Sequence, residues 1–336
     1  MIQRLCIASF LIVTLPAWFQ QIEPSVKSFD EIPYKSVDGT PWPEDELELP
    51  ELSAELQLFK PLKVHYVELN PTGAKTLVFV HGLGSYLKFW RYQLDRFAGQ
   101  GYRVLALDMP GFGKSSKPRS FKYTMPAQAK VLHAFLRAVN ANKPVLVGHS
   151  MGGHISLVYS LNYPENVSAL GLASPAGFER FSRRDRAWLK SVFTTALVMS
   201  GTAESVYTNL VNNNFSNWRE DFEWLIAERL GLPQDPIFKD YAYANVKAVH
   251  GLLDTDFTRG NINQITVPVM IVYGTHDRLI PNRFMHPGPT AEVMNYGHNA
   301  IKGSVLHALD GCGHTLQIDC STRFNEHLDT FLEGLK

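Results

Sequence analysis

Ser150 sits in Gly148-His149-Ser150-Met151-Gly152, a G-x-S-x-G pentapeptide. It lies between the apolar run Pro144-Val145-Leu146-Val147 and a helical pattern from Gly153 to Tyr163. A serine on a sharp strand-to-helix turn is held strained and exposed, with small neighbours making room, so that its oxygen is presented at the edge of a sheet. A serine hydroxyl is a weak nucleophile by itself. It needs a base to take its proton and a third group to orient that base. Alone, the pentapeptide also fits a tight turn with no chemistry, so its companions decide. Val269 to Tyr273 runs into Gly274-Thr275-His276-Asp277, a strand that delivers an aspartate ahead of Pro281. Val305 to Leu309 runs into Asp310-Gly311-Cys312-Gly313-His314, a strand ending in a Gly-rich loop that carries a histidine.

Two more loops follow short buried strands. Thr76 to Val80, rich in β-branched and aromatic residues, precedes His81-Gly82-Leu83-Gly84. A Gly-flanked loop here can point backbone N–H groups at a developing oxyanion, together with the N–H of the residue after the nucleophile. That nominates Leu83 and Met151 through their backbones; an ordinary Gly-rich turn is the other reading. Val104 to Leu107 ends at Asp108 and enters Met109-Pro110-Gly111-Phe112-Gly113-Lys114-Ser115. Gly113-Lys114-Ser115 is like the end of a phosphate loop, but that motif needs a glycine where Asp108 stands, so nucleotide binding is rejected. No G-x-G-x-x-G opens a helix either.

The chain order Ser150, Asp277, His314, the HG-x-G loop and the GHSMGG elbow together resemble the α/β-hydrolase superfamily, over roughly residues 57–174 and 263–336. The resemblance implies an α/β-hydrolase fold: a mostly parallel sheet flanked by helices, with a helical cap inserted over residues 175–262. It also implies roles. Ser150 would be the nucleophile, His314 the general base and then acid, and Asp277 the group that orients His314. The N–H groups of Leu83 and Met151 would hold the oxyanion. No cofactor is implied. A serine at 150 argues against haloalkane dehalogenase and epoxide hydrolase chemistry, whose enzymes carry aspartate there. The stretch from Phe284 to Gly303 is longer than the resemblance leads one to expect.

Other candidates have plainer readings. Asp310 is expected to cap its loop, and Asp254 and Asp256 to lie at the surface. His81, His149 and His154 cluster in sequence around the site, with packing and loop hydrogen bonds as the expected roles. No H-E-x-x-H or Cys/His spacing suggests a metal. Cys312 and Cys320 flank His314. A disulfide would clamp the histidine loop, but two buried free thiols are the preferred reading.

The chain has 336 residues, 45% of them hydrophobic, enough for one large core plus an insertion. Its formal net charge of zero removes any global drive toward nucleic acid or acidic membranes. Met1-Ile2-Gln3-Arg4 followed by the uncharged, mostly apolar run Leu5 to Leu15 reads as a secretory signal cleaved near Ala17, or as an uncleaved anchor, over residues 1–20. Either reading places the protein outside the cytoplasm or on a membrane. Cys6 would leave with a cleaved signal. Residues 21–56, rich in proline and acids, read as an extended arm on the core or a tether.

Helical patterns fill the inserted segment at Arg183–Met199, Thr202–Asn213 and Asn217–Leu230. Such a lid excludes water and shapes a pocket. Arg180, Arg183, Arg184 and Arg186 fit a solvated helix face, a carboxylate clamp of the kind that C–C bond hydrolases would need, or contact with anionic lipid. The expected activity is hydrolysis of a largely apolar carboxylic ester or acylglycerol, with peripheral membrane contact. The same triad would also serve C–C cleavage, lactone or amide hydrolysis, or acyl transfer. A silent binding module on the same fold is the remaining alternative.

Overall fold

Short apolar runs become strands wherever both faces are covered, and five of them do so here. The computed structural model describes residues 15–335. Most of the expected signal or anchor, with Cys6, therefore lies outside the described residues. The strands are β1 (Glu44–Leu49), β2 (Leu62–Leu69), β3 (Thr76–Val80), β4 (Arg103–Leu107), β5 (Val145–His149), β6 (Ala169–Ala173), β7 (Val269–Gly274) and β8 (Val305–Leu309). Among the described residues they form one eight-stranded sheet in the order β1-β2-β4-β3-β5-β6-β7-β8. The first three in that order pair antiparallel and the rest parallel. β3 to β7 are buried almost throughout, as a parallel sheet covered on both faces requires.

The order reverses at β3, which has β4 on one side and β5 on the other. Connections leaving β3 and β5 diverge there and open a crevice at the strands' C-terminal ends, where ligands of such sheets bind. Register then fixes what meets at the crevice. Val80 pairs with Gly148, so the loop after β3 lies beside the turn after β5. Gly274 pairs with Leu309, so the aspartate and histidine loops leave the sheet side by side.

The helices are α1 (Ala17–Gln20), α2 (Pro50–Glu55), α3 (Arg91–Gly99), α4 (Met125–Ala138) and α5 (Met151–Asn162) before the insertion. Between β6 and β7 come α6 (Arg183–Val192), α7 (Thr195–Met199), α8 (Ala203–Tyr207), α9 (Glu223–Gly231), α10 (Phe238–Asp254) and α11 (Phe257–Asn261). After β7 come α12 (Thr290–Ala300), α13 (Leu316–Asp319) and α14 (Ser321–Glu333). The long stretch Phe284 to Gly303 is explained by α12, since parallel β7 and β8 need a crossover element. The expected helix Arg183–Met199 is broken at Phe193, and Thr194 caps the second piece by accepting from Leu197 N–H. The expected helix Thr202–Asn213 passes from α8 into a π-helical turn over Thr208–Asn214. No helix among the described residues is long and apolar enough to cross a membrane.

Residues 21–56 lie against the core. Phe29, Ile32, Tyr34 and Trp42 are buried, and the Trp42 indole donates to Asp95. β1 closes one edge of the sheet with exposed Glu44, Asp45 and Glu46, of which Glu44 pairs across to His65 and Glu46 to Lys63. A charged edge discourages pairing with other chains.

Candidate active site

Ser150 ends β5 and opens α5 with φ 51° and ψ −113°, a left-handed conformation that a β-substituted residue holds only under strain. Its N–H donates to Ala173 O at 3.0 Å and its carbonyl accepts from Ala176 N–H at 3.0 Å, so the end of β6 pins the turn. The glycine two residues on is required by contact: a Cβ on Gly152 would lie 2.1 Å from Val80 O. The loop after β3 approaches just as closely. A Cβ on Gly82 would lie 2.7 Å from His149 Nδ1 and 3.3 Å from Ser150 Cβ. Leu83 follows on that loop, and its N–H has no backbone acceptor among the described residues.

His314 Nδ1 is 2.7 Å from Asp277 Oδ2, and both side chains are buried. The other carboxylate oxygen, Oδ1, accepts from Leu279 N–H at 2.8 Å and Ile280 N–H at 3.0 Å. The histidine loop is held at three further points. Gly313 N–H donates to Asp319 at 2.6 Å, the His149 ring nitrogen Nε2 lies 3.1 Å from His314 O, and Thr315 N–H donates to Asn214 O at 3.0 Å. Asp319 also accepts from Ser216 N–H and Asn217 N–H, so one buried carboxylate joins the histidine loop to the insertion. Sequence reasoning missed Asp319. Its signal is an acid closing the otherwise uncharged stretch Leu316-Gln317-Ile318, five residues after His314.

Cys312 and Cys320 are bridged, which corrects the expectation of free thiols. The chain turns back through α13, bringing Cα atoms eight positions apart in sequence to 6.1 Å, within disulfide range. The bridge closes a loop that contains His314.

The remaining candidates have structural partners. His81 Nε2 accepts from Met109 N–H at 2.9 Å, which leaves Nδ1–H to donate to Gly82 O at 2.7 Å. Burial pushes His81 below the ordinary histidine range. His154 contacts Thr258 Oγ1 at 2.8 Å, and burial lowers its pKa to about 4. His149 is pushed well down, first by burial and then by the neighbouring His314. Asp108, where a phosphate loop would need glycine, is fully buried and accepts from Leu87 N–H, Lys114 N–H and the Tyr34 hydroxyl. Asp310 does not cap its own loop through this side chain but accepts from Thr275 Oγ1 on the neighbouring loop after β7. Asp254 and Asp256 are exposed and pair with Lys190 and Arg186. Among the described residues no group of three or more His, Cys, Asp or Glu is arranged to hold a metal ion.

Ser150 and His314 line one cavity of about 780 Å³. Leu83 and His149 lie on its core side, and Leu189, Phe193, Val206 and Leu252 of the insertion form an apolar wall. None of Arg180, Arg183, Arg184 or Arg186 lines it, so a carboxylate clamp built from that cluster does not face Ser150. Two lining residues went unnoticed in the sequence. Glu179 accepts from Asn282 N–H at 2.8 Å and contacts His286 Nδ1 at 2.6 Å; burial pushes its carboxyl up. Arg229 donates to Gly84 O at 2.5 Å and to the Tyr241 hydroxyl at 3.0 Å. Beside it, Glu228 forms a buried ion pair with Lys88 and accepts from the Tyr86 hydroxyl. α9 is thereby fastened to the loop after β3.

A sequence model of the α/β-hydrolase fold matches residues 75–320, a span that contains Ser150, Asp277 and His314. The chain belongs to that family. This hydrolase is 28% identical over 297 residues to a 2-hydroxy-6-oxononadienedioate/2-hydroxy-6-oxononatrienedioate hydrolase of Paraburkholderia phymatum, covering 81% of this chain and 91% of the relative. It is 23% identical over 280 residues to a monoacylglycerol lipase of Xenopus laevis, covering 80% and 78%. The crystal structure of a probable hydrolytic enzyme of Pseudomonas aeruginosa matches its fold with a TM-score of 0.76 at 23% identity, over 90% of this chain and 99% of that one.

Proposed function

We propose that this hydrolase cleaves a largely apolar carboxylic ester through an acyl-enzyme on Ser150. The observation that carries the reading is one cavity lined by Ser150 and His314, with His314 tied to buried Asp277 at 2.7 Å and an apolar wall opposite. In the first step Ser150 Oγ attacks the ester carbonyl carbon while its proton passes to His314 Nε2. Asp277 accepts from Nδ1–H, which keeps Nε2 free to act as a base and stabilises the imidazolium. The oxyanion is held by the N–H groups of Leu83 and Met151; such a donor is worth about 3–4 kcal/mol in the transition state. His314 then gives its proton to the leaving alkoxide. Water, deprotonated by His314, attacks the acyl-enzyme and frees the acid and Ser150. The helices between β6 and β7 act as a cap that excludes bulk water. The apolar run Leu5 to Leu15 supports an exported or membrane-anchored protein.

One observation favours a second reading, C–C bond hydrolysis of a substrate bearing a carboxylate. Arg229 reaches the cavity with no carboxylate partner among the described residues, and the Paraburkholderia relative is named for a dicarboxylate substrate. The test is a p-nitrophenyl ester series from acetate to palmitate, with Ser150→Ala as control. Ser150-dependent turnover that rises beyond acetate is expected. A folded protein inert across the series, yet active on a vinylogous diketo acid and disabled by Arg229→Gln, would replace the ester reading with the second.

A further inference from the structure

We infer that the outer face of α6 and α7 docks on the surface of an anionic phospholipid bilayer. The corollary, that the cavity draws an acyl substrate from that surface, rests on the ester reading above. α6 has no buried residue along its length. Trp188 and Val192 on α6 are 49% and 40% exposed, and Leu197 and Met199 on α7 are 52% and 47% exposed. The other large exposed apolar side chains of the described chain are scattered singly, so this concentration within twelve residues marks a contact surface. Arg184, Trp188 and Val192 follow at four-residue spacing and share one helix face.

Charge selects the occupant. Arg186 and Lys190 are paired with Asp256 and Asp254, but Arg180, Arg183 and Arg184 are exposed without an ion pair among the described residues. A second copy of this face would bring those guanidinium groups against one another. A surface of anionic headgroups over acyl chains complements both the cations and the apolar side chains. Two further observations place the cavity at the same surface. Leu197 and Met199 are exposed and also line the cavity that Ser150 lines. Phe19 packs edge-on against Tyr207 at 5.1 Å and Trp18 stacks on Trp218 at 6.2 Å, while Val206, next to Tyr207, lines the cavity. Residues 17–20, which follow the uncharged run Leu5 to Leu15 in sequence, therefore pack beside the same wall.

The test uses the full chain carrying Ser150→Ala, so that binding is read without turnover, and Cys6→Ser, so that an added cysteine is the site of labelling. A polarity-sensitive fluorophore is placed at Val192→Cys, or at Val37→Cys as an exposed control on the segment before β1. Mixed phosphatidylcholine–phosphatidylglycerol vesicles should brighten and blue-shift the label at 192 and leave the label at 37 unchanged. Arg183→Glu with Arg184→Glu should weaken that response more than about tenfold. A label at 192 that ignores the vesicles, or that responds to protein concentration without them, overturns the inference. With Ser150 restored, Trp188→Ser should keep hydrolysis of soluble p-nitrophenyl butyrate while losing most hydrolysis of a monoacylglycerol held in the vesicles. Failure of the unaltered protein on both esters would refute the ester reading, and the fluorescence result would still decide the docking.

Discussion

Replacing Asp277 by asparagine separates the charge and the hydrogen-bond polarity of that position from its shape. The N–H groups of Leu279 and Ile280 converge on Asp277 Oδ1 at 2.8 and 3.0 Å. An asparagine must turn its carbonyl oxygen to those two donors, because an amide NH₂ there would face N–H against N–H. Its Nδ2 then takes the place of Oδ2, 2.7 Å from His314 Nδ1. Nδ2 can only donate, so Nδ1 must be bare and the ring proton moves to Nε2. That tautomer cannot take the proton of Ser150. In a Ser-His-Asp site this swap costs about 10⁴-fold, or about 5 kcal/mol of transition-state stabilisation. The residue volume and both backbone bonds are kept, so the fold should survive. The assay is hydrolysis of soluble p-nitrophenyl butyrate by the wild type and Asp277→Asn, with thermal unfolding alongside. kcat should fall by about four orders of magnitude with KM little changed. Activity within about tenfold of the wild type in a folded variant would refute the argument that Asp277 orients His314.

Two further expectations concern stability. Cys312→Ser with Cys320→Ser releases a loop of sequence separation eight, which chain entropy values at about 2.5 kcal/mol. Urea denaturation should register that loss, and non-reducing peptide mapping should recover the two cysteines in one cross-linked species; free thiols at both positions would contradict the bridge. His154 is held near pKa 4 by burial, below the roughly 6.5 of an unfolded histidine. Its folded pKa is depressed, so the stability it contributes is complete above about pH 6.5 and is lost as pH falls through about 4, by about 3 kcal/mol at most. Denaturation across that window should steepen accordingly, and His154→Gln should flatten it; an unchanged slope would rule out His154 as a source.

The residues that meet at the site were legible because their neighbours in sequence are decisive. Buried strands such as Val145–His149 are apolar on both faces, and each ends in a glycine-bearing turn that only a close backbone contact requires. β1 escaped notice for the opposite reason. Glu44-Asp45-Glu46-Leu47-Glu48-Leu49 has almost no buried face, and it is a strand because β2 offers it backbone partners. α10, the longest inserted helix, was not singled out, and its buried side chains pack within the insertion and over the loop after β4. The bridge between Cys312 and Cys320 depends on how tightly α13 turns, which spacing alone does not fix. Glu179 and Arg229 were invisible for a related reason: each acts on backbone or side chains far away in sequence, and local patterns carry no trace of that.

The most direct test of the central claim is covalent capture of the nucleophile. The folded protein is treated with a fluorophosphonate that carries an apolar chain, digested, and mapped by mass spectrometry. One adduct is expected, on Ser150, absent from Ser150→Ala and strongly reduced in Asp277→Asn. No adduct on a folded protein, or an adduct on another residue that persists in Ser150→Ala, would contradict it.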